Sequence, residues 1–386
     1  MLQALGVHLR PIEEETVKNR RPTWTYDYLI VIAGDAPIKD DEGAVVWWGG
    51  LGRIGEGLSF LRTETVDDCV RVGLHEVGHN LGLAHSSSLY TTPQLAGTIL
   101  GIPYYEFSSE YGDRYCRMGK GANDFNARYK HWLHWLDDDN FPLAATDGRY
   151  TIREHDLEEN SGVRGLQVPF NIGGAVLNYE DSLSIEYRLY DPANPLLAKG
   201  AQIHLLKPNS PKVYLLDATP ETPNHEPDGD TSGNLDAPLL PGRTFSYSKY
   251  GQTVHITSIS ADEDTGKLVV QINHGTPSGN HAPNGSILFW TPTGAVGQKV
   301  YFTADVSDAD GDDIAYHWQI PGVGVLDNTP TVGVTFSTTG TKAIKCIISD
   351  MQGGVRTITA NFSVLNNQPP TVSAISDKTM NEDTVL

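Results

Sequence analysis

Hydrophobic and polar positions change their period along the 386-residue chain. TYDYLIVIAG (Thr25 to Gly34) is an unbroken apolar, β-branched run and predicts a buried strand; VVWWGG (Val45 to Gly50) predicts another. Across 66–84 apolar residues fall at 66, 70, 74, 77 and 81, which is helical spacing. Asp67 and Asp68 suit the positive end of that helix, and Gly82 is a natural stop. NDFNARYKHWLHWL (Asn123 to Leu136) predicts a second helix with Tyr129, Trp132, Leu133 and Leu136 on one face.

From about Gly148 the helical period disappears. RYTIREH, GLQVPF, SLSIEYRLY, AQIHLL, KVYLLDA, TVHITSIS and KLVVQINH are short strand-like runs divided by Gly, Pro, Asn and Asp, the pattern of an antiparallel sandwich. The expected organisation is therefore multidomain: an α+β block over 1–145, a β-sandwich over 146–275, a linker over 276–285 and a second sandwich over 286–366. Residues 367–386 read as the truncated start of a further β repeat, and the first block as truncated at its N-terminus.

Composition narrows the function. The net charge of −20 disfavours nucleic acid and anionic membrane surfaces, whose phosphates repel such a chain. No run approaches the ~18 apolar residues of a membrane span, and the start shows no signal peptide. Three cysteines (Cys69, Cys116, Cys346) permit at most one bridge, with Cys69 and Cys116 as the candidate pair beside the simpler reading of buried thiols.

The chemistry lies in HEVGHNLGLAH, residues 75–85. His75 and His79 are i, i+4 on the predicted helix, so both imidazoles leave one face and can share a tetrahedral Zn²⁺. Glu76 is placed to reach a metal-bound water as general base. Gly82 can turn the chain and return His85 as third ligand, leaving a fourth position for water. The competing reading is an amphipathic helix with surface histidines. His131 and His134, i, i+3 on the second predicted helix, have no third ligand near them and read as packing or solvated residues.

His75, Glu76, His79, Gly82 and His85 match the metzincin metallopeptidase motif H-E-x-x-H-x-x-G-x-x-H, which the segment resembles. SSEYGDRYCRMGKG (Ser108 to Gly121) resembles the methionine-containing turn of that class, which implies Met118 beneath the metal; ordinary core is its alternative. Lys120 stands where astacin-type members carry a tyrosyl ligand, so none is implied. HNLGLAH, the turn and NDFNARYKHWLHWL are most similar to gametolysin-type peptidases. The resemblance implies a secreted zinc endopeptidase acting on extracellular or matrix proteins, without its latency propeptide here. It also implies that Val45 to Gly55 is the edge strand that pairs with substrate, with Trp47 and Trp48 as core residues the alternative.

Val300 to Ile320, with Trp318 as the core tryptophan, and Thr335 to Gly354 resemble PKD-type, immunoglobulin-like domains, which serve as spacers or adhesion modules. Asp308, Asp310, Asp312 and Asp313 are a candidate Ca²⁺ cluster beside the plainer reading of a solvated turn. The rival function is an extracellular adhesion or matrix-binding protein whose peptidase block is vestigial. The intact Glu76 argues against it.

Overall fold

The computed structural model describes residues 29–33, 49–62, 65–89, 108–121, 124–156, 162–170, 182–189, 196–207, 210–219, 236–249 and 251–367. Trp47 and Trp48, most of the polar loop 220–236 and the repeat start 368–386 lie outside them. Two compact units emerge, residues 1–82 and 83–386.

In the first unit, β1 (Leu29–Ala33) runs parallel to β3 (Leu58–Arg62), and β2 (Gly50–Gly52) pairs antiparallel with the other side of β3. Helix α1 (Val66–Asn80) follows. The Thr65 hydroxyl accepts the Asp68 N–H at 3.1 Å, and Asp67 and Asp68 occupy the first turn, so the expected start is met by a true cap. The buried face differs from the expected apolar stripe. Val66 is exposed, and the buried positions are Gly73, Glu76, Gly78, His79 and Asn80. Small and polar residues serve there because the sheet comes close. Ser59 donates to Asn80 Oδ1 at 2.7 Å, and Asn80 Nδ2 donates to the carbonyls of Arg53 and Leu58.

The second unit holds two β-sandwiches. In the first, one sheet is ordered β5 (Ser108–Ser109), β4 (Ser86–Leu89), β10 (Val213–Leu216), β9 (Gln202–Leu206), β8 (Ser182–Glu186), β7 (Gly165–Pro169). It faces a sheet ordered β11 (Thr244–Lys249), β12 (Gln252–Asp262), β13 (Lys267–His274), β6 (Gly148–Arg153). Alternation sorts the side chains. Ile203, Leu205, Tyr214 and Leu216 join the core between the sheets. Their neighbours Leu206, Val213 and Leu215 point to the opposite face, yet are buried too.

The segment 115–129 covers them. Cys116, Met118, Phe125 and Tyr129 pack with Leu206 and Val213, and Tyr115 packs with Leu215. β4, β5 and parts of the segment 113–136 thus build with the sandwich. The second helix is shorter than expected. α2 spans Ala127–Trp132, capped by the Asn126 side chain, and His134 at φ 57° ends the helical path. Tyr129 and Leu136 are buried as expected, whereas Trp132 is partly exposed.

Charges are buried at the same place. Arg188, fully buried, donates to both Asp156 oxygens at 3.1 and 3.0 Å and to the Tyr115 carbonyl. Glu186 accepts the Ala127 N–H at 2.6 Å and lies 3.4 Å from His155 Nε2; His204 Nε2 lies 3.2 Å from Asp113 Oδ2. Histidines that look scattered in sequence thus converge on one buried group.

The second sandwich pairs β14 (Asn284–Leu288), β16 (Lys299–Ser307) and β18 (Thr331–Thr335) against β15 (Thr293–Ala295), β20 (Val355–Leu365), β19 (Gly340–Ser349) and β17 (Ala315–Gln319). Trp318 sits in its core as expected, with Phe302, Phe336 and Phe362 in edge and stacked contacts. The two sandwiches meet through polar contacts: His317 Nδ1 to the Pro241 carbonyl (2.9 Å), Thr244 to Ser349 (2.7 Å) and Asn273 to the Met351 carbonyl (2.8 Å). At Gly242, φ is +80° and a Cβ would collide with the Tyr316 carbonyl, so only glycine fits.

Candidate metal centre

Helix α1 places His75 and His79 one turn apart, with ring centroids 4.8 Å apart and planes at 86°. The helix closes at Leu81, whose N–H returns to the Val77 carbonyl, and Gly82 takes φ +96°, the left-handed turn its position implied. Along the continuous segment to His85, one ligand atom of each of the three histidines lies within 4.8 Å of the others. His79 is buried; His75 and His85 are half-buried.

His85 has no helix to hold it, and its neighbours are anchored instead. Tyr129 donates its hydroxyl to the Ala84 carbonyl (2.9 Å), and the Ser86 N–H donates to the Met118 carbonyl (2.9 Å). Ser86 Oγ donates to Asp113 Oδ2 (2.7 Å), while Asp113 Oδ1 accepts the Tyr115 and Cys116 N–H groups. The turn carrying Met118 is thereby tied to the strand that begins one residue after His85. Met118 is fully buried beside Leu83 and Cys116.

Glu76 is buried, and that burial pushes its carboxyl up to about 7, partly offset by a hydrogen bond from the Gly52 backbone. Gly50 and Gly52 make this approach possible. A Cβ on Gly52 would lie 2.6 Å from the Glu76 carbonyl oxygen, and one on Gly50 would strike the carboxyl itself. Sequence reading missed the role of these glycines, although GGLG beside a strand is the signal for close backbone approach. The strand they form, β2, is at the edge of the described sheet; residues 45–48 of the expected edge strand lie outside the described residues.

Zinc suits the donor set: three imidazoles, all borderline nitrogen donors, converge within reach of one ion. Other expectations resolve simply. The three cysteines are free thiols, so Cys69 and Cys116 are not bridged. His131 pairs with Asp138 at 3.0 Å and stacks on Phe141.

Carboxylate oxygens of Asp308, Asp312 and Asp350 also lie within 4.8 Å of one another. Asp350 was not foreseen. Of the expected calcium residues, Asp310 instead accepts the His281 N–H (2.7 Å), and Asp313 faces Arg149 at 3.6 Å. Burial and the neighbouring Asp308 and Asp350 charges raise the Asp312 carboxyl. Among the described residues no helix is long and apolar enough to cross a membrane.

By sequence the chain matches no family model and, at a significant level, no curated protein, so the metzincin resemblance rests on the motif residues themselves. Of the solved structures that are similar, three that each cover about a fifth of the chain illustrate the likeness. A β-sandwich carbohydrate-binding module, from work on the promiscuous specificity of such modules, is 30% identical over 22% of this chain and 36% of its own, with TM-score 0.21. The chain thus spans about a third of that protein's length. A PKD domain of an M14-like peptidase from a Thermoplasmatales archaeon is 17% identical over 22% of this chain and 94% of its own, TM-score 0.20. The PKD1 domain of Epp from Vibrio anguillarum is 20% identical over 23% of this chain and 99% of its own, TM-score 0.20.

Proposed function

We propose that this chain is a secreted zinc endopeptidase of metzincin type, acting on extracellular or matrix proteins, with a PKD-like domain as its second sandwich. One observation carries the reading: the convergence of His75, His79 and His85 within 4.8 Å, with Glu76 buried on the same helix. The three histidines would hold the ion. When bound, zinc lowers the pKa of a coordinated water and polarises a carbonyl. Glu76 would take a proton from the attacking water at its carboxylate and deliver it to the leaving amine. Met118 and Asp113 would keep the strand after His85 in place.

The test is zinc content together with hydrolysis of casein or gelatin, with and without a chelator. The unmodified protein should carry about one zinc per chain. Glu76→Gln should keep the zinc and lose activity by about 10²-fold or more, because an amide cannot accept the proton. Parental cleavage by that variant would remove Glu76 from the reaction.

A second reading is an extracellular binding protein whose sandwiches do the work, and the dominance of two sandwiches in the described structure favours it. It predicts zinc without hydrolysis in the unmodified chain and retention on matrix or glycan supports that Glu76→Gln leaves unchanged.

A further inference from the structure

We propose that Glu110 and Tyr111 are positioning residues that hold His85 in the tautomer and ring orientation a metal ligand needs; this rests on the metal-centre reading above. His75 and His79 take their direction from a helix, whereas His85 follows a left-handed glycine and must be held by other side chains.

Two consecutive residues do this. Glu110 Oε1 lies 2.7 Å from His85 Nδ1. A carboxylate can only accept, so Nδ1 carries the proton and the ring's lone pair is on Nε2. The Tyr111 ring lies against the imidazole, centroids 3.8 Å apart and planes at 38°, which restricts rotation about the Cβ–Cγ bond. Tyr111 reaches that place with φ 62°, a left-handed conformation that a non-glycine residue adopts only when its surroundings impose it.

The surroundings are built from the strand His85 leads into. β5 pairs with β4 (Ser88 opposite Ser109), the Gly112 N–H returns to the Ser109 carbonyl (3.1 Å), and the Asp113 N–H returns to the Ser86 carbonyl (3.3 Å). Gly112 presses so closely on Ser88 that a Cβ there would collide with its side chain. The turn 109–113 is thus folded back on β4, and the clamp and the histidine share one frame. Carboxylate partners of metal-bound histidines typically contribute 10–100-fold in affinity. Glu110 is 71% exposed, so solvent screens the pair and the lower end is expected.

The experiment reads two quantities in the full chain: the His85 tautomer in metal-free protein, by nitrogen-15 NMR of the imidazole, and zinc affinity by chelator competition. The unmodified protein should show His85 protonated at Nδ1. Glu110→Ala should lose that preference and bind zinc about tenfold more weakly, with an unchanged melting midpoint. Glu110→Gln, whose amide oxygen still accepts, should restore most of both. Tyr111→Phe should bind like the parent, and Tyr111→Gly, which keeps the turn and loses the ring, should bind more weakly. If His85→Ala abolishes zinc binding while Glu110→Ala leaves affinity and tautomer unchanged, the clamp is overturned and the metal centre stands. If the unmodified chain binds no zinc, or His85→Ala binds as well as the parent, the centre falls and the clamp with it.

Discussion

The two sandwiches are built on different principles. The C-terminal one is closed around Phe302, Phe336, Phe362 and Trp318, its core made of aromatic and aliphatic groups that need only to fill space. The one before it has an aliphatic core between its sheets, but its outer face buries Arg188, Glu186, His155, His204 and Asp113, with Asp156 half-buried beside them, at the segment that carries Met118. Burying ions costs more than burying leucines unless each finds its partners. The first sandwich thus has an outer face covered by the segment that carries Met118, whereas the second is closed around its own core.

Breaking that outer face should have the largest effect. Arg188→Ala leaves the buried Glu186 and the half-buried Asp156 without the Arg188 cation and should cost about 3 kcal/mol in urea unfolding; a loss below about 1 kcal/mol would erase the distinction between the sandwiches. Phe362→Leu in the aromatic core should cost less, about 1.5 kcal/mol or under, because volume is nearly conserved. That cost should be the same from pH 5 to 9, and a pH-dependent loss would contradict the apolar description.

His204→Gln sharpens the contrast through its pH dependence. Burial lowers the His204 pKa, but the hydrogen bond to Asp113 and the nearby Glu186 and Asp113 charges outweigh it, and the net shift is upward. A raised histidine stabilises the fold fully below its unfolded pKa, about 6.5, and that contribution fades as pH rises through the folded value. The difference between His204→Gln and the parent should therefore be greatest in mild acid and narrow on the alkaline side. A difference that grows with pH would mean that the imidazole is buried neutral. The smallest effect expected is that of deleting residues 282–386: hydrolysis of a short peptide should stay within about twofold, since the lost contacts are polar and water replaces them at ~0.5–1.5 kcal/mol each.

Much of this was legible in the sequence. The helix over 66–80, its stop at Gly82, the five motif positions and the alternating strands after Gly148 follow from period and punctuation. The covered outer face of the first sandwich was not. β4 is SSSL and β5 is two serines, too polar and too short to read as strands; they are strands because Ser86 and Ser88 are buried beside β10. The network draws on residues 113, 156, 186, 188 and 204, and no local pattern links positions so far apart. Helix α2 ends early because His134 turns left-handed, whereas the apolar period runs on to Leu136.

The approach of Gly242 to the Tyr316 carbonyl has a mechanical meaning. A joint made of side chains gives by rotating about single bonds; a joint of backbone against backbone has no such slack. His317 is fastened to the Pro241 carbonyl beside it, so the turn ahead of β11 is held at two neighbouring points. The two sandwiches are therefore expected to turn together at this point, where a joint of side chains would bend.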